Sequence, residues 1–265
     1  MHPIAFRLGA LTVRWYGIAY AVALLVVLAV LKSESRRKQL ALELNDLIDF
    51  ILLVFPVGLI GARLYYALFY LDYFRDNPLA LIGIGGEGFG LAGLAIHGGL
   101  IGGLIGLLIY SRWKGVNLLE FADALAPALV LGQAIGRLGN FMNGDAYGYP
   151  TDAPWGIEFA KNTAAGTEFP GQKLHPTMLY EFGLNLLIFA TLWRLRRKGY
   201  KKGFIVSLYF ILYSVGRSVI SFYRAGSLWV GPIRAAHLIS IVIVVGAGYF
   251  IWQGRLYQKM EDGSG

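Results

Sequence analysis

Seven apolar runs of about 20 residues each constrain this chain more than any other feature. They cover approximately 11–31, 46–70, 91–110, 118–136, 176–193, 204–223 and 234–252. Inside a bilayer every backbone N–H and C=O must be bonded within the protein, so runs of this length become helices. The pattern predicts an all-α integral membrane protein with about seven transmembrane helices. Residues 1–265 read as a single polytopic membrane domain, with 141–175, rich in Gly, Pro and aromatics, as a small external head. Only 15% of the 265 residues are charged and 56% are hydrophobic; a soluble domain carries about 25% charged residues.

The net charge of +8 could point to nucleic acid. The distribution of the cations points to the membrane instead. Lys32, Arg36, Arg37 and Lys38 lie in the first loop, and Arg112 and Lys114 in the third. Arg194, Arg196, Arg197, Lys198, Lys201 and Lys202 lie in the fifth, and Arg255 and Lys259 in the tail. These alternate segments hold more than half of the 24 basic residues. By the positive-inside rule they are cytoplasmic, which puts the N-terminus outside and the C-terminus in the cytoplasm. The first span is no cleaved signal: its basic cluster follows the apolar run and no A-x-A site appears. Cysteine is absent, so there is no thiolate nucleophile or cysteine metal site, and four scattered histidines make no metal site either. Nothing in the chain calls for a cofactor.

The polar residues inside the spans carry the chemistry, because ionisable groups at membrane depth are functional candidates. The run GQAIGRLGNFMNGDAYG, 132–148, reads as an apolar helix that ends in Arg137 and then breaks into glycines, Asn140, Asn143 and Asp145. Tyr16, Arg63, His97, Arg137, His175, Glu181 and Arg217 all fall in the outer halves of their spans, at about 1.5 Å of depth per residue. Tyr213, Arg217, Ser221 and Arg224 follow i, i+4, i+8, i+11 spacing on one face of the sixth span. Arginines at headgroup level fit a phosphate. Each group also has a structural reading. Arg137 could snorkel, and Arg63 could pair with Glu181. His97 could bridge close-packed helices, and Tyr16 could belong to an aromatic belt. Ser221 is the one hydroxyl on the arginine face, and no serine is paired with a histidine at visible spacing.

GRLGNFMNGDAYG resembles the signature of the bacterial prolipoprotein diacylglyceryl transferase family. WYG (15–17), GARLYY (61–66), IHGGLIGG (96–103) and HPTMLYE (175–181) also resemble that family, in the same order, as does Arg217 with Arg224. The resemblance implies transfer of the diacylglyceryl group of phosphatidylglycerol to the lipobox cysteine of a preprolipoprotein signal peptide. A thioether forms and glycerol phosphate leaves, in the bacterial cytoplasmic (inner) membrane, without nucleic acid, metal or cofactor. It assigns the family's essential arginines to Arg137 and Arg217, its essential histidine to His97 and its important tyrosines to Tyr16 and Tyr213. Asn140 and Gly148 match signature positions, and Arg224 and Arg63 join the expected substrate-binding set. The family pattern commonly has a glutamate at Ser221 and at Asp145, and an acid after Arg224, where this chain has Ala225 and Gly226. A polytopic transporter of an anionic solute would also need intramembrane arginines, but predicts access from both faces and internal symmetry. An intramembrane protease would need a serine–histidine elbow or paired aspartates.

Overall fold

The computed structural model of the chain describes residues 4–9, 11–82 and 94–259. Its helices are α1 (Trp15–Arg37), α2 (Leu44–Phe69), α3 (Leu71–Asp76), α4 (Ile96–Trp113), α5 (Leu118–Asn143), α6 (Ala164–Glu168), α7 (Thr177–Leu195), α8 (Phe204–Ser221) and α9 (Ala235–Gln253). Among the described residues six of them, α1, α2, α5, α7, α8 and α9, are long and apolar enough to cross a membrane. This is a helical, multi-pass membrane protein. The start of the expected span 91–110 lies outside the described residues. Its helix, α4, has 18 residues, but His97, Arg112 and its glycines dilute its apolarity below that of the other six.

Two expectations need correction. The first span does not begin at residue 11. Ile4–Leu8 (β1) and Leu11–Arg14 (β2) form an antiparallel hairpin, and the helix starts at Trp15. The alternation of Thr12, Val13 and Arg14 suits a strand better than a buried helical turn. Nor does the helix at 118–136 break after Arg137, since α5 continues to Asn143. Its glycines serve packing. A Cβ on Gly132 would lie 2.7 Å from Val27 Cγ2, and one on Gly139 3.0 Å from the Ala19 Cβ, so α1 and α5 approach closely along this stripe. The chain leaves helical geometry only beyond Asn143, where Gly144 and Ala146 take positive φ of 70° and 59°.

The chain forms two compact units, residues 35–121 and residues 1–34 with 122–265. In the first, α2 and α4 meet through glycines: a Cβ on Gly61 would lie 2.4 Å from the Gly98 carbonyl, and one on Gly102 2.4 Å from the Val57 carbonyl. The glycines of GARLYY and HGGLIGG therefore set a near backbone-to-backbone crossing. Lys114, after α4, bonds Asp46 at 2.6 Å and Asp49 at 2.9 Å on the first turns of α2. Both carboxylates raise the Lys114 pKa.

In the second unit, Ala126, Val130, Ile188, Leu192, Ile205 and Tyr209 form a buried core shared by α5, α7 and α8. Asp123, in α5, accepts the Gly203 and Val206 N–H groups, each at 2.9 Å, and so caps the first turn of α8 from a neighbouring helix. Buried Glu34 in α1 pairs with Arg196 just past α7. Residues 144–176 connect α5 to α7. A two-stranded ladder of Ile157–Glu158 (β3) and Lys173–Leu174 (β4) joins α6 around Phe159, Ala165 and Leu174, which pack on Met178 of α7.

Candidate active site

Glu181 is the centre of the site. It lies on the second turn of α7 with its side chain 1% exposed. Its Oε1 accepts Arg217 Nη1 at 2.9 Å and Arg224 Nη1 at 2.8 Å. Arg137 Nη2 lies 2.6 Å from Oε2. Three guanidinium groups thus share one carboxylate, leaving two positive charges unbalanced by it. The three arginine side chains stay about a quarter exposed, at 22%, 25% and 23%. The carboxylate is enclosed, and the cations above it remain reachable.

Each cation is held by a different element. Arg137 comes from the last turns of α5, where its Nη1 donates to Asn140 Oδ1 at 3.1 Å. Asn140 in turn donates to Asp145 Oδ1 at 2.6 Å, and Asn143 donates to Asp145 Oδ2 at 2.8 Å. The signature is therefore a relay: Asp145 fixes two amides, and one amide aims Arg137. Arg217 projects from α8. Arg224 lies beyond the end of α8 at Ser221, so the single helical face expected through residue 224 stops one turn short. A backbone stitch brings Arg224 in instead. Gly148 pairs with Arg224 as an antiparallel bridge, Tyr149 N–H donates to the Tyr223 carbonyl at 2.9 Å, and Gly148 N–H donates to the His175 carbonyl at 2.9 Å. A Cβ on Gly148 would lie 2.5 Å from the Tyr223 oxygen and 2.7 Å from the His175 Cβ, so three chain segments converge where only glycine fits.

Burial, then the neighbouring Arg217, pulls the Arg224 guanidinium below its ordinary value, and Glu181 opposes them. Burial pushes the Tyr147 hydroxyl up to about 12, helped by its hydrogen bond to Glu168. Tyr16 sits beside the signature helix, since a Cβ on Gly139 would lie 3.2 Å from its ring, and its hydroxyl accepts Tyr20 at 3.0 Å. Tyr213, one turn before Arg217, has its ring tilted against that of Tyr209, with centroids 5.8 Å apart. His175 Nδ1 lies 3.0 Å from the Tyr180 hydroxyl, which also accepts Trp155 Nε1 at 2.7 Å.

His97 and Arg63 belong to the unit of residues 35–121. His97 is exposed on the first turn of α4, its ring 6.0 Å from that of Tyr65. Arg63 is buried, donates to the Ala80 and Leu81 carbonyls, and lies 4.9 Å over the Phe74 ring. Those contacts give it a structural task in joining α2 to the turn Pro78–Ile82.

Sequence reasoning missed two relationships. The sequence shows Glu181 as an acid opening an apolar span, which is the available signal, but not as the hub of three arginines. The expectation of no serine–histidine pairing is also wrong. His237 Nδ1 lies 2.6 Å from Ser218 Oγ, and Nε2 lies 3.2 Å from Ser221 Oγ. The partners sit on α8 and α9, and only the helical hairpin brings them together. Ser221 Oγ donates to the Ser218 carbonyl at 2.7 Å, so its proton is already placed.

Residues 3–253 match the family described as prolipoprotein diacylglyceryl transferase. The chain belongs to that family. Relatives named phosphatidylglycerol–prolipoprotein diacylglyceryl transferase agree along nearly its whole length. One from Clostridium botulinum (strain Loch Maree / Type A3) is 39% identical over 254 residues, covering 95% of this chain and 96% of the relative. One from Fusobacterium nucleatum is 35% identical over 287 residues, covering 95% and 97%. A third, from Clostridium kluyveri, is 38% identical over 257 residues, covering 96% and 98%. As a prolipoprotein diacylglyceryl transferase family member, this chain builds its arginine cluster from the segments that gave the family resemblance: GRLGNFMNGDAYG, HPTMLYE and the Arg217–Arg224 stretch.

Proposed function

We propose that this chain transfers the diacylglyceryl group of phosphatidylglycerol to the lipobox cysteine thiol of a preprolipoprotein, forming a thioether and releasing glycerol phosphate. The observation that carries the reading is the cluster of Arg137, Arg217 and Arg224 on Glu181. A phosphodiester carries one negative charge, and the departing phosphomonoester gains a second. A cluster with two unbalanced positive charges matches the later state better than the earlier one. It therefore lowers the barrier rather than only tightening binding. Arg137 and Arg217 contact the leaving phosphate, with guanidinium geometry suited to two oxygens at once. Arg224, Asn140, Tyr16, Tyr213, Arg63 and Gly148 complete the substrate-binding set.

The cysteine thiolate attacks the glycerol C3 carbon. The carbon–sulfur bond forms as the carbon–oxygen bond to phosphate breaks, and the phosphate leaves with the electron pair. The thiol, with an ordinary pKa of about 8.5, first loses its proton; His97 takes it as the general base. Transfer is direct, without an enzyme-bound diacylglyceryl, so Ser218→Ala and Ser221→Ala variants keep turnover. The body has seven spans, with α4 as the seventh, the N-terminus and the head outside, and the C-terminus cytoplasmic, in the inner membrane.

The test is purified protein with phosphatidylglycerol and a lipobox peptide, followed by mass spectrometry. The peptide gains one diacylglyceryl mass, and protein incubated with lipid alone gains none. An unmodified peptide, with folded protein and both substrates present, overturns the activity. A protein adduct that the peptide discharges overturns direct transfer.

A further inference from the structure

A second feature lies on α8 and α9, apart from the contacts of Glu181. Val215, Ser218, Val219 and Phe222 of α8 and its end face Ser240, Ile241, Val244 and Val245 of α9 across an open groove of about 400 Å³. Both helices are long and apolar enough to cross a membrane. The groove runs from Val215 to Phe222, about 10 Å of helix at 1.5 Å per residue, the length of a partly extended acyl chain.

A cation, Arg234, lies next to the Phe222 end of the groove. Arg234 closes the hairpin of Trp229–Val230 (β5) and Ile233–Arg234 (β6), and its backbone caps α9. Its guanidinium lies 5.6 Å over Phe222, the ring that ends the groove, and 5.1 Å over Trp229. Its Nη1 is buried with no hydrogen-bond partner among the described residues. His237 adds a polar wall beside it, its ring 4.6 Å from that of Phe222 and its Nδ1 bonded to Ser218. A half-buried cation held against Phe222, which lines the apolar slot, and against Trp229 is complementary to an amphiphile with an anionic head. A bulk zwitterionic lipid would bring its own cation to the same place.

We infer that the α8–α9 groove binds an anionic glycerophospholipid that does not react, its phosphate on Arg234 and one acyl chain between Val219 and Val245. The site differs from the reacting lipid's in cation, in helix face and in the absence of a carboxylate hub. Its occupant covers the slot beside the exposed face of α9, which includes Ile241, Val242 and Val245.

The test uses full-length protein with Arg137→Ala and Arg217→Ala, which removes the proposed phosphate contacts of the reacting site. The protein is delipidated in detergent, titrated with dioleoyl phosphatidylglycerol and read by native mass spectrometry. One lipid binds per chain, and dioleoyl phosphatidylcholine binds about tenfold more weakly, as expected for loss of a charge-assisted contact. Adding Arg234→Gln weakens phosphatidylglycerol binding about tenfold, and Val219→Trp, which fills the slot, does the same with Arg234 intact. Circular dichroism confirms that each variant keeps its helices. Equal binding of the two lipids, or affinity unchanged in both folded variants, overturns the site. Lipid transfer activity plays no part in this readout, so its failure and that of the proposed reaction are separable.

Discussion

Arg137 and Arg217 grip opposite oxygens of one carboxylate: Arg137 lies 2.6 Å from Glu181 Oε2 and Arg217 2.9 Å from Oε1. The two cations come from α5 and α8 and have no other common support among their described contacts. A buried carboxylate between them offsets their mutual repulsion and sets their separation before any ligand arrives.

On the proposed reaction, replacing either arginine removes a contact to the leaving phosphate. Arg137→Ala and Arg217→Ala each lower transfer by about 10²–10³-fold, as for loss of a preorganised donor to developing charge. Lysine at either position restores little, because it lacks the planar two-point geometry. Initial rates of peptide lipidation check this; near-normal rates in folded variants refute it.

Glu181→Gln leaves three guanidinium groups crowded without a counter-charge. Breaking a buried pair in this way costs about 3–5 kcal/mol, so the variant melts well below the parent in the same detergent. Arg224→Met added to Glu181→Gln recovers part of that loss by removing one like charge. If the single variant melts with the parent, the carboxylate is no hub.

Gly148→Ala tests the backbone stitch. The added methyl meets the Tyr223 carbonyl at 2.5 Å, so the strand bearing Arg224 must move. The expected result is transfer reduced at least tenfold with the helical spectrum retained. A variant with parental activity would show that the approach has slack.

His97→Gln separates a base from a scaffold. If imidazole takes the thiol proton, the variant is strongly impaired near pH 7. It regains activity toward pH 9, where substrate with a pKa of about 8.5 supplies thiolate unaided. The ratio of variant to parent rates therefore rises with pH. A flat ratio across that range removes the base role.

Topology is open to labelling because the chain contains no cysteine of its own. With the proposed orientation, single cysteines at positions 36 and 198 stay unlabelled by an impermeant maleimide in intact cells, and one at 161 reacts. Reaction at 198 from outside reverses the orientation.

The bilayer made most of the fold legible. Five of the six long apolar helices start or end within a few residues of their sequence-derived limits, because hydrocarbon thickness dictates length. Arg137, Arg217 and Arg224 were legible as a set because charges at that depth need a reason. The rest depended on contacts between segments far apart in the chain. Glu181 faces α5 and α8 only once α7 is docked. Arg224 reaches the cluster through strand-like pairing with Gly148 rather than through helical periodicity. The glycines after Gly132 looked like breaks because helix propensity penalises them, yet close packing of α1 on α5 overrides propensity there. His237 escaped notice because its serine partners lie across a turn between two helices.

The cap that Asp123 places on α8 has a geometric consequence. As many residues separate Asp123 from Arg137 along α5 as separate Gly203 from Arg217 along α8. The two helices behave as the equal arms of a pair of callipers, pinned at Asp123, with the arginines as jaws and Glu181 setting the gauge. Each arm is on the order of 20 Å long. One residue inserted into one arm alone would swing its jaw by about 100° and advance it by about 1.5 Å. Arm length in this protein is thus a matched dimension, and membrane thickness is only one of the things it has to match.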